Sequence, residues 1–209
     1  MNTEAAILIP SRAEAEKLLE WAGKLNPGPW VNHAKVVARA AQTIAQEMGL
    51  DADRAYVSGL LHDIGRFEGV RGLHHVYAGY ALMKEKGYDV ISEICLSHSF
   101  PHPVQVLGAY SGGEYDCTPA ELEVITNYLA TADYNDYDRL VQLCDSIGSA
   151  DGVCLIEKRL NDVVSRYGFN SFTLKKWDAY RSLKSYFDIG IKGNIYDLFY
   201  DEVRDVTFK

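Results

Sequence analysis

Positive charge, paired cysteines and long apolar runs are all scarce in this chain. Lysine and arginine number 21 against 29 aspartates and glutamates, for a formal net charge of −8. A protein that grips a nucleic-acid backbone must cluster cations to displace the polymer's counterions. Here the cations are outnumbered and scattered, so neither a nucleic-acid polymer nor an anionic membrane surface is expected as a partner. The four cysteines, Cys95, Cys117, Cys144 and Cys154, form no Cys-x-x-Cys pair. They are expected as small buried thiols rather than as a disulfide framework or a zinc site. No stretch approaches the ~20 apolar residues of a membrane helix. The run Ala5-Ala6-Ile7-Leu8-Ile9 is too short for a signal peptide and has no basic residue before it. A cytoplasmic protein is the expectation.

What is present reads as helix. Ser11 is a plausible N-cap for residues 11–24, and Asn26-Pro27-Gly28-Pro29 is a turn. From Trp30 to Met48 the residues Val36, Val37, Ala40, Ala41, Ile44 and Met48 recur at helical spacing, with Gly49 as the stop. Asp51 caps a helix carrying Val57, Leu60 and Leu61, expected to end at Gly65. His75 to Lys86 and Asp89 to His98 follow, split by Gly87. The stretch Ser99–Cys117 is broken by prolines and glycines and reads as a lid. Thr118-Pro119-Ala120-Glu121 restarts a helix with a capping box. Further helices are expected over 134–147, 152–167, 173–187 and 194–204. No period-two alternation is convincing, so the fold class is all-α. The 209 residues suit a single domain in which residues 152–209 pack as helices on a core over about 30–150.

The chemistry concentrates in Leu60-Leu61-His62-Asp63-Ile64-Gly65-Arg66. Neighbours on a helix point about 100° apart, so His62 and Asp63 can share one ion only at a helix end. Burying a carboxylate beside an imidazole calls for a compensating cation. His33 shares a face with Ala40 and Ile44, His98 is in register with Ile91, Ile94 and Cys95, and His75 stands one turn before the small Gly79. Asp145 follows Leu140, Val141, Leu143 and Cys144, an odd place for a lone charge. Taken singly, each has a bland reading: a hydrogen-bonded core histidine, or an Asp145 that caps the segment after Gly148 or pairs with Arg139. Together, His33, His62, Asp63 and Asp145 on the inner faces of three helices point to a metal. His74 and His102 read as surface or supporting residues.

The pattern His…His-Asp…Asp, with His62-Asp63-Ile64-Gly65 at its centre, resembles the HD superfamily of metal-dependent phosphohydrolases over about residues 30–150. That resemblance implies an all-α HD-domain bundle with a C-terminal helical extension. It implies His33, His62, Asp63 and Asp145 as primary ligands, with Asp63 bridging two ions and His75 and His98 completing a second site. The Gly-Tyr-Pro element of the cyclic-dinucleotide phosphodiesterase branch is missing, which argues against that substrate. The expected cofactor is one or two divalent transition-metal ions, Mn, Fe, Co, Ni or Zn. The expected partner is a small phosphorylated substrate such as a nucleotide, cleaved as a phosphomonoester or phosphodiester.

In that reading Asp63 and Arg66 carry catalysis, with Arg66 clamping a phosphate; the competing reading pairs Arg66 with Glu68 at the surface. Lys158 and Arg159, which come after Asp145, either add positive charge to the pocket or are solvated on the helix surface, and the surface is the favoured reading. Phe100, Tyr110 and Tyr115 in the lid either stack on a base or close the core. Two other functions fit the same ligands: a di-iron oxygenase, and a non-catalytic scaffold that senses a nucleotide or metal.

Overall fold

A computed structural model describes residues 8–101, 116–169 and 171–208. Among them the chain forms ten α-helices and no strand beyond one isolated bridge between Gly148 and Val153. We number them α1 (Arg12–Leu25), α2 (Trp30–Met48), α3 (Ala52–Leu61), α4 (His74–Glu85) and α5 (Asp89–Ser97). After them come α6 (Pro119–Thr131), α7 (Asp136–Ile147), α8 (Ile156–Tyr167), α9 (Thr173–Gly190) and α10 (Tyr200–Thr207). Short 3-10 turns cover Ile64–Glu68 and Ile195–Phe199. Among the described residues no helix is long and apolar enough to cross a membrane.

Local chemistry sets most helix ends. Ser11 with Glu14, Thr118 with Glu121 and Asn135 with Asp138 form reciprocal capping boxes, and Asp51 accepts from the amides of Asp53 and Arg54. Each satisfies donors that the first helical turn leaves open. Gly49 closes α2 in the left-handed region, at φ +69°, where a side chain would be strained. The helix expected over 194–204 divides into the second 3-10 turn and α10.

Three apolar clusters fill the interior. One packs α1 to α5 through Leu19, Ala38, Leu60, Leu61, Ile64 and Ile91. A second joins α4, α5 and α6 through Val76, Leu96, Phe100 and Ile125. The third runs Val37, Ile44 and Leu143 against Leu160, Leu183 and Phe187, so α8 and α9 share the apolar interior of α2 and α7. Each such side chain contributes roughly 1.5–3 kcal/mol on burial. All four cysteines are free thiols, and Cys95, Cys144 and Cys154 are buried. Phe100 belongs to the core, at 3% exposure, and Tyr134 donates its hydroxyl to the Phe100 carbonyl. His102, Tyr110, Tyr115 and the greater part of the expected lid lie outside the described residues.

Candidate metal centre

The helix α3 ends at Leu61, four residues before the expected stop at Gly65. The reason is geometric. His62 still has helical dihedrals, but Asp63, at φ −103° and ψ 15°, leaves the helix and starts the 3-10 turn. That departure breaks the 100° divergence of neighbouring helical side chains and brings His62 Nε2 within 3.8 Å of Asp63 Oδ2. Gly65 serves a different purpose from a stop. A Cβ on it would lie 2.0 Å from the His75 carbonyl oxygen and 2.4 Å from the Gly79 amide nitrogen. Only glycine lets the start of α4 lie against this turn. Gly79 completes the contact on the α4 side, where a Cβ would meet Cys95 Sγ at 3.0 Å.

Around this joint the side chains fall into two sets of three. His33, His62 and Asp145 can converge on one point, and Asp63, His75 and His98 on another. In the first set His33 Nε2 lies 3.0 Å from Asp145 Oδ1, and His62 Nε2 lies 3.9 Å from the same oxygen. In the second, Asp63 Oδ1 is 3.1 Å from His75 Nε2 and 3.5 Å from His98 Nε2, and the two imidazole nitrogens are 3.3 Å apart. Atoms bound to a common ion at about 2.1 Å have separations of this order. The adjacency of His62 and Asp63 joins the two sets.

The protonation states follow from the partners. His62 Nδ1 faces the Gly59 carbonyl at 2.6 Å, His98 Nδ1 faces the Cys95 carbonyl at 2.8 Å, and His75 Nδ1 faces the Gly72 carbonyl. A carbonyl only accepts, so each Nδ1 carries a proton and Nε2 is the nitrogen turned to the centre. Burial pushes His62 down to about 4 and lowers His75 as well, keeping both rings neutral at pH 7. Burial alone would raise Asp63 and Asp145. Arg66, His62 and His75 overcome it at Asp63, as do His33, His62 and Arg159 at Asp145, and both carboxyls stay well below the usual range. His62 and His75 are therefore neutral imidazoles and Asp63 and Asp145 ionised carboxylates, the forms that bind metal.

These groups are poorly satisfied without an ion. His33 Nδ1 and Nε2, His62 Nε2 and Asp63 Oδ1 are buried with no hydrogen-bond partner. The short approaches to Asp145 and Asp63 are contacts without the alignment of a hydrogen bond. The Nε2 atoms of His75 and His98 lie 3.3 Å apart, turned toward the same point as Asp63 Oδ1. Buried polar atoms are ordinarily paired, so four orphans in one core mark a place for a cation. The residues fit one or two divalent ions, with ligand types suited to Mn, Fe, Co, Ni or Zn.

The remaining candidates sort out around this centre. Arg66 does not pair with Glu68; its Nε donates to Asp63 Oδ2 at 2.6 Å. Glu68 instead meets His74 Nε2 at 2.7 Å, and Glu121 lies 3.4 Å from His74 Nδ1. Burial works against a charged His74, but these two carboxylates raise it, and the ring joins the 3-10 turn to α6. Cys117 stands near it, yet a ring flanked by acids on both nitrogens has little to offer a metal. Asp145 neither caps a segment nor pairs with Arg139, which lies 3.6 Å from Asp136.

A cavity of about 400 Å³ opens over the centre, with Asp63, His75, His98 and Asp145 in its lining. Arg66, Arg71, Arg159, Arg166 and Lys176 also line it. Arg159 takes the less favoured of its two expected places. It faces the cavity and lies 3.9 Å from Asp145, whereas Lys158 pairs with Asp162 at the surface as expected. Nothing in the His-Asp motif announces these cations, because α8 and α9 lie far from it in sequence.

The HD domain family model matches residues 30–149. A segment of 62 residues, 28% of this chain, is 40% identical to Ribonuclease Y of Mesoplasma florum and covers 12% of that protein. No solved structure matches.

Proposed function

The chain belongs to the HD-domain family, and from that premise we propose that it is a metal-dependent phosphohydrolase acting on a small phosphate ester. The observation that carries this reading is the cationic lining of the cavity over the two ligand sets, in a chain whose net charge is −8. His33, His62 and Asp145 would hold one ion, and Asp63, His75 and His98 the other. Ions held there would supply Lewis acidity at the phosphoryl group and an activated water.

The chain's own residues do the rest. Arg66 fixes the Asp63 carboxylate and adds positive charge to the cavity. The carbonyls of Gly59, Gly72 and Cys95 fix three imidazoles in the tautomer that presents Nε2. Arg71 and Arg159 offer guanidinium donors to phosphoryl oxygens as negative charge develops there. The name of the Mesoplasma relative speaks for phosphodiester cleavage in RNA. The net charge of −8 and a cavity of about 400 Å³ favour a small ester over a polymer.

The test is anaerobic turnover of a panel of phosphomonoesters, phosphodiesters and nucleotides with Mn²⁺, Co²⁺ or Ni²⁺ supplied. Phosphate or alcohol release without O₂, abolished by His62→Ala, is the expected outcome. Silence across the panel, with O₂ consumed by an iron-loaded sample, would overturn the reading in favour of a di-iron oxygenase.

A further inference from the structure

Helix α7 turns a polar face inward, and only its last member belongs to a ligand set. Asp138, Gln142 and Asp145 stand at i, i+4 and i+7 along it. Asp145 joins the first set, with His33 and His62. The other two reach away from that set, to the end of α5. Ser97 Oγ donates to Asp138 Oδ1 at 2.8 Å, and Gln142 Nε2 donates to the carbonyls of Ser97 at 3.1 Å and Phe100 at 3.4 Å.

Those two carbonyls are the ends of a turn. The Phe100 amide donates to the Ser97 carbonyl at 2.9 Å, which closes Ser97-His98-Ser99-Phe100 on itself. His98 sits inside this turn, where α5 has ended and no further helical turn holds the backbone. A single side-chain amide from α7 thus spans both ends of the turn that carries a ligand of the second set. The Cys95 carbonyl, facing His98 Nδ1, sets the orientation of the ring, and the turn sets where the ring stands. Its Nε2 must come within 3.5 Å of Asp63 Oδ1 and 3.3 Å of His75 Nε2.

Packing does not account for a glutamine at this position. Gln142 is fully buried, and its Oε1 has no hydrogen-bond partner. A buried acceptor left unpaired is costly, whereas an apolar side chain of similar length would fill the space without that cost. Carbonyls only accept, so the contacts to the turn require the amide nitrogen, and Oε1 is stranded by that orientation. What glutamine adds over methionine here is the pair of bonds to the turn.

We propose that Gln142 is a positioning residue: from the helix that carries a ligand of the first ion, it holds His98 in place for the second. This rests on the reading of the centre as a two-ion site, but the hold on His98 has a readout that needs no metal. The two sets are then joined twice, through the adjacency of His62 and Asp63 and through α7.

The experiment compares the full-length protein with Gln142→Met, which keeps the length of the side chain and removes the donor. In metal-free protein labelled with ¹⁵N-histidine, NMR should show the His98 ring signals moved or broadened, and those of His33 and His62 unchanged. Calorimetric titration with Mn²⁺ or Co²⁺ follows, its two steps assigned with His33→Ala and His98→Ala. The second ion should bind about tenfold more weakly, the lower end of what outer-shell partners carry, and the first as before. A purely structural role predicts otherwise. Asp145 lies one turn from Gln142 on the same helix, so a disturbed α7 would weaken the first ion at least as much as the second, or would lower Tm alone. Either pattern overturns the proposal, as do unmoved His98 signals or a second ion bound as tightly as before. Should Gln142→Met not fold, Gln142→Asn takes its place; its amide is one methylene short of the turn, and the same outcomes apply. A wild-type protein that binds one ion only, with the His98 signals moved by the substitution, upholds the hold on His98 and removes the second ion.

Discussion

His33, His62 and Asp145 meet with few ties to the surrounding backbone, whereas Asp63, His75 and His98 are each held by a hydrogen bond. In the second set Arg66 grips Asp63, and the carbonyls of Gly72 and Cys95 hold the rings of His75 and His98. In the first only His62 is tied to the backbone, through Gly59; His33 Nδ1 is buried without a partner, and Arg159 stands 3.9 Å from Asp145. The second set is therefore the more preorganised. Its geometry depends on how α4 and α5 dock on the turn after α3, while the first depends on the packing of α2 against α7. Damage to the docking of α4 should fall on one set and spare the other. Asp63 is the exception, because it touches both.

The largest effect is expected at that shared residue. Asp63→Ala removes an oxygen 3.1 Å from His75 and 3.5 Å from His98, and the carboxylate beside His62. Loss of an outer-shell partner alone commonly costs 10–100-fold in affinity or activity, so loss of a carboxylate set among the ligand nitrogens should cost roughly a hundredfold or more. Elemental analysis should find both ions depleted. Retention of one ion at full occupancy would show that Asp63 serves a single set.

A more selective cut is Gly65→Ala. Its new methyl would sit 2.0 Å from the His75 carbonyl oxygen and 2.4 Å from the Gly79 nitrogen, and backbone atoms cannot swing aside. Helix α4 must shift and carry His75 with it. Overpacking of this kind costs about 1–3 kcal/mol, which for a chain of this size lowers Tm by roughly 2–4 °C per kcal/mol. The ion of the second set should be lost and that of the first retained. Two ions bound with unchanged affinity in this variant would end the claim that the α4 docking builds the second set.

How far the sequence reveals these features depends on the range of the interaction. Helix caps are local, and Ser11, Asp51 and Thr118 announce their helices because donor and acceptor lie within a turn. The His62-Asp63 pair and the inward faces of His33 and His98 are legible for the same reason, as helical periodicity reports burial. His75 and His74 are adjacent in sequence, and only the docking of α4 sends one to Asp63 and the other to Glu68. Likewise Arg159 and Lys158 differ by one position, yet one lines the cavity and the other bonds Asp162 at the surface. Such choices are made by helices packing at a distance, and no local pattern encodes them. Gly65 carries a signal that is read readily but wrongly: glycine after a helix suggests a stop, when the requirement is a close approach.

The smallest effect, and the sharpest test of the comparison, lies at Asp116. Its carboxylate accepts from the amides of Gly72 at 2.6 Å, Leu73 at 2.8 Å and His74 at 2.9 Å. It thereby caps the approach to α4 from a distant part of the chain, where a negative charge also suits the helix dipole. Burial opposes its ionisation, but the three amide bonds prevail and hold the carboxyl below its ordinary value. The same segment presents the Gly72 carbonyl that fixes the His75 ring. Asp116→Ala should therefore cost about 1 kcal/mol of stability, the usual worth of a cap. If all of that strain reaches His75, the second ion should bind roughly fivefold more weakly, while the first is unchanged. Metal titration by calorimetry reads the two steps separately. A lowered Tm with both binding steps intact would mean that Asp116 only holds the chain in place, and that the Gly72–His75 contact survives without it.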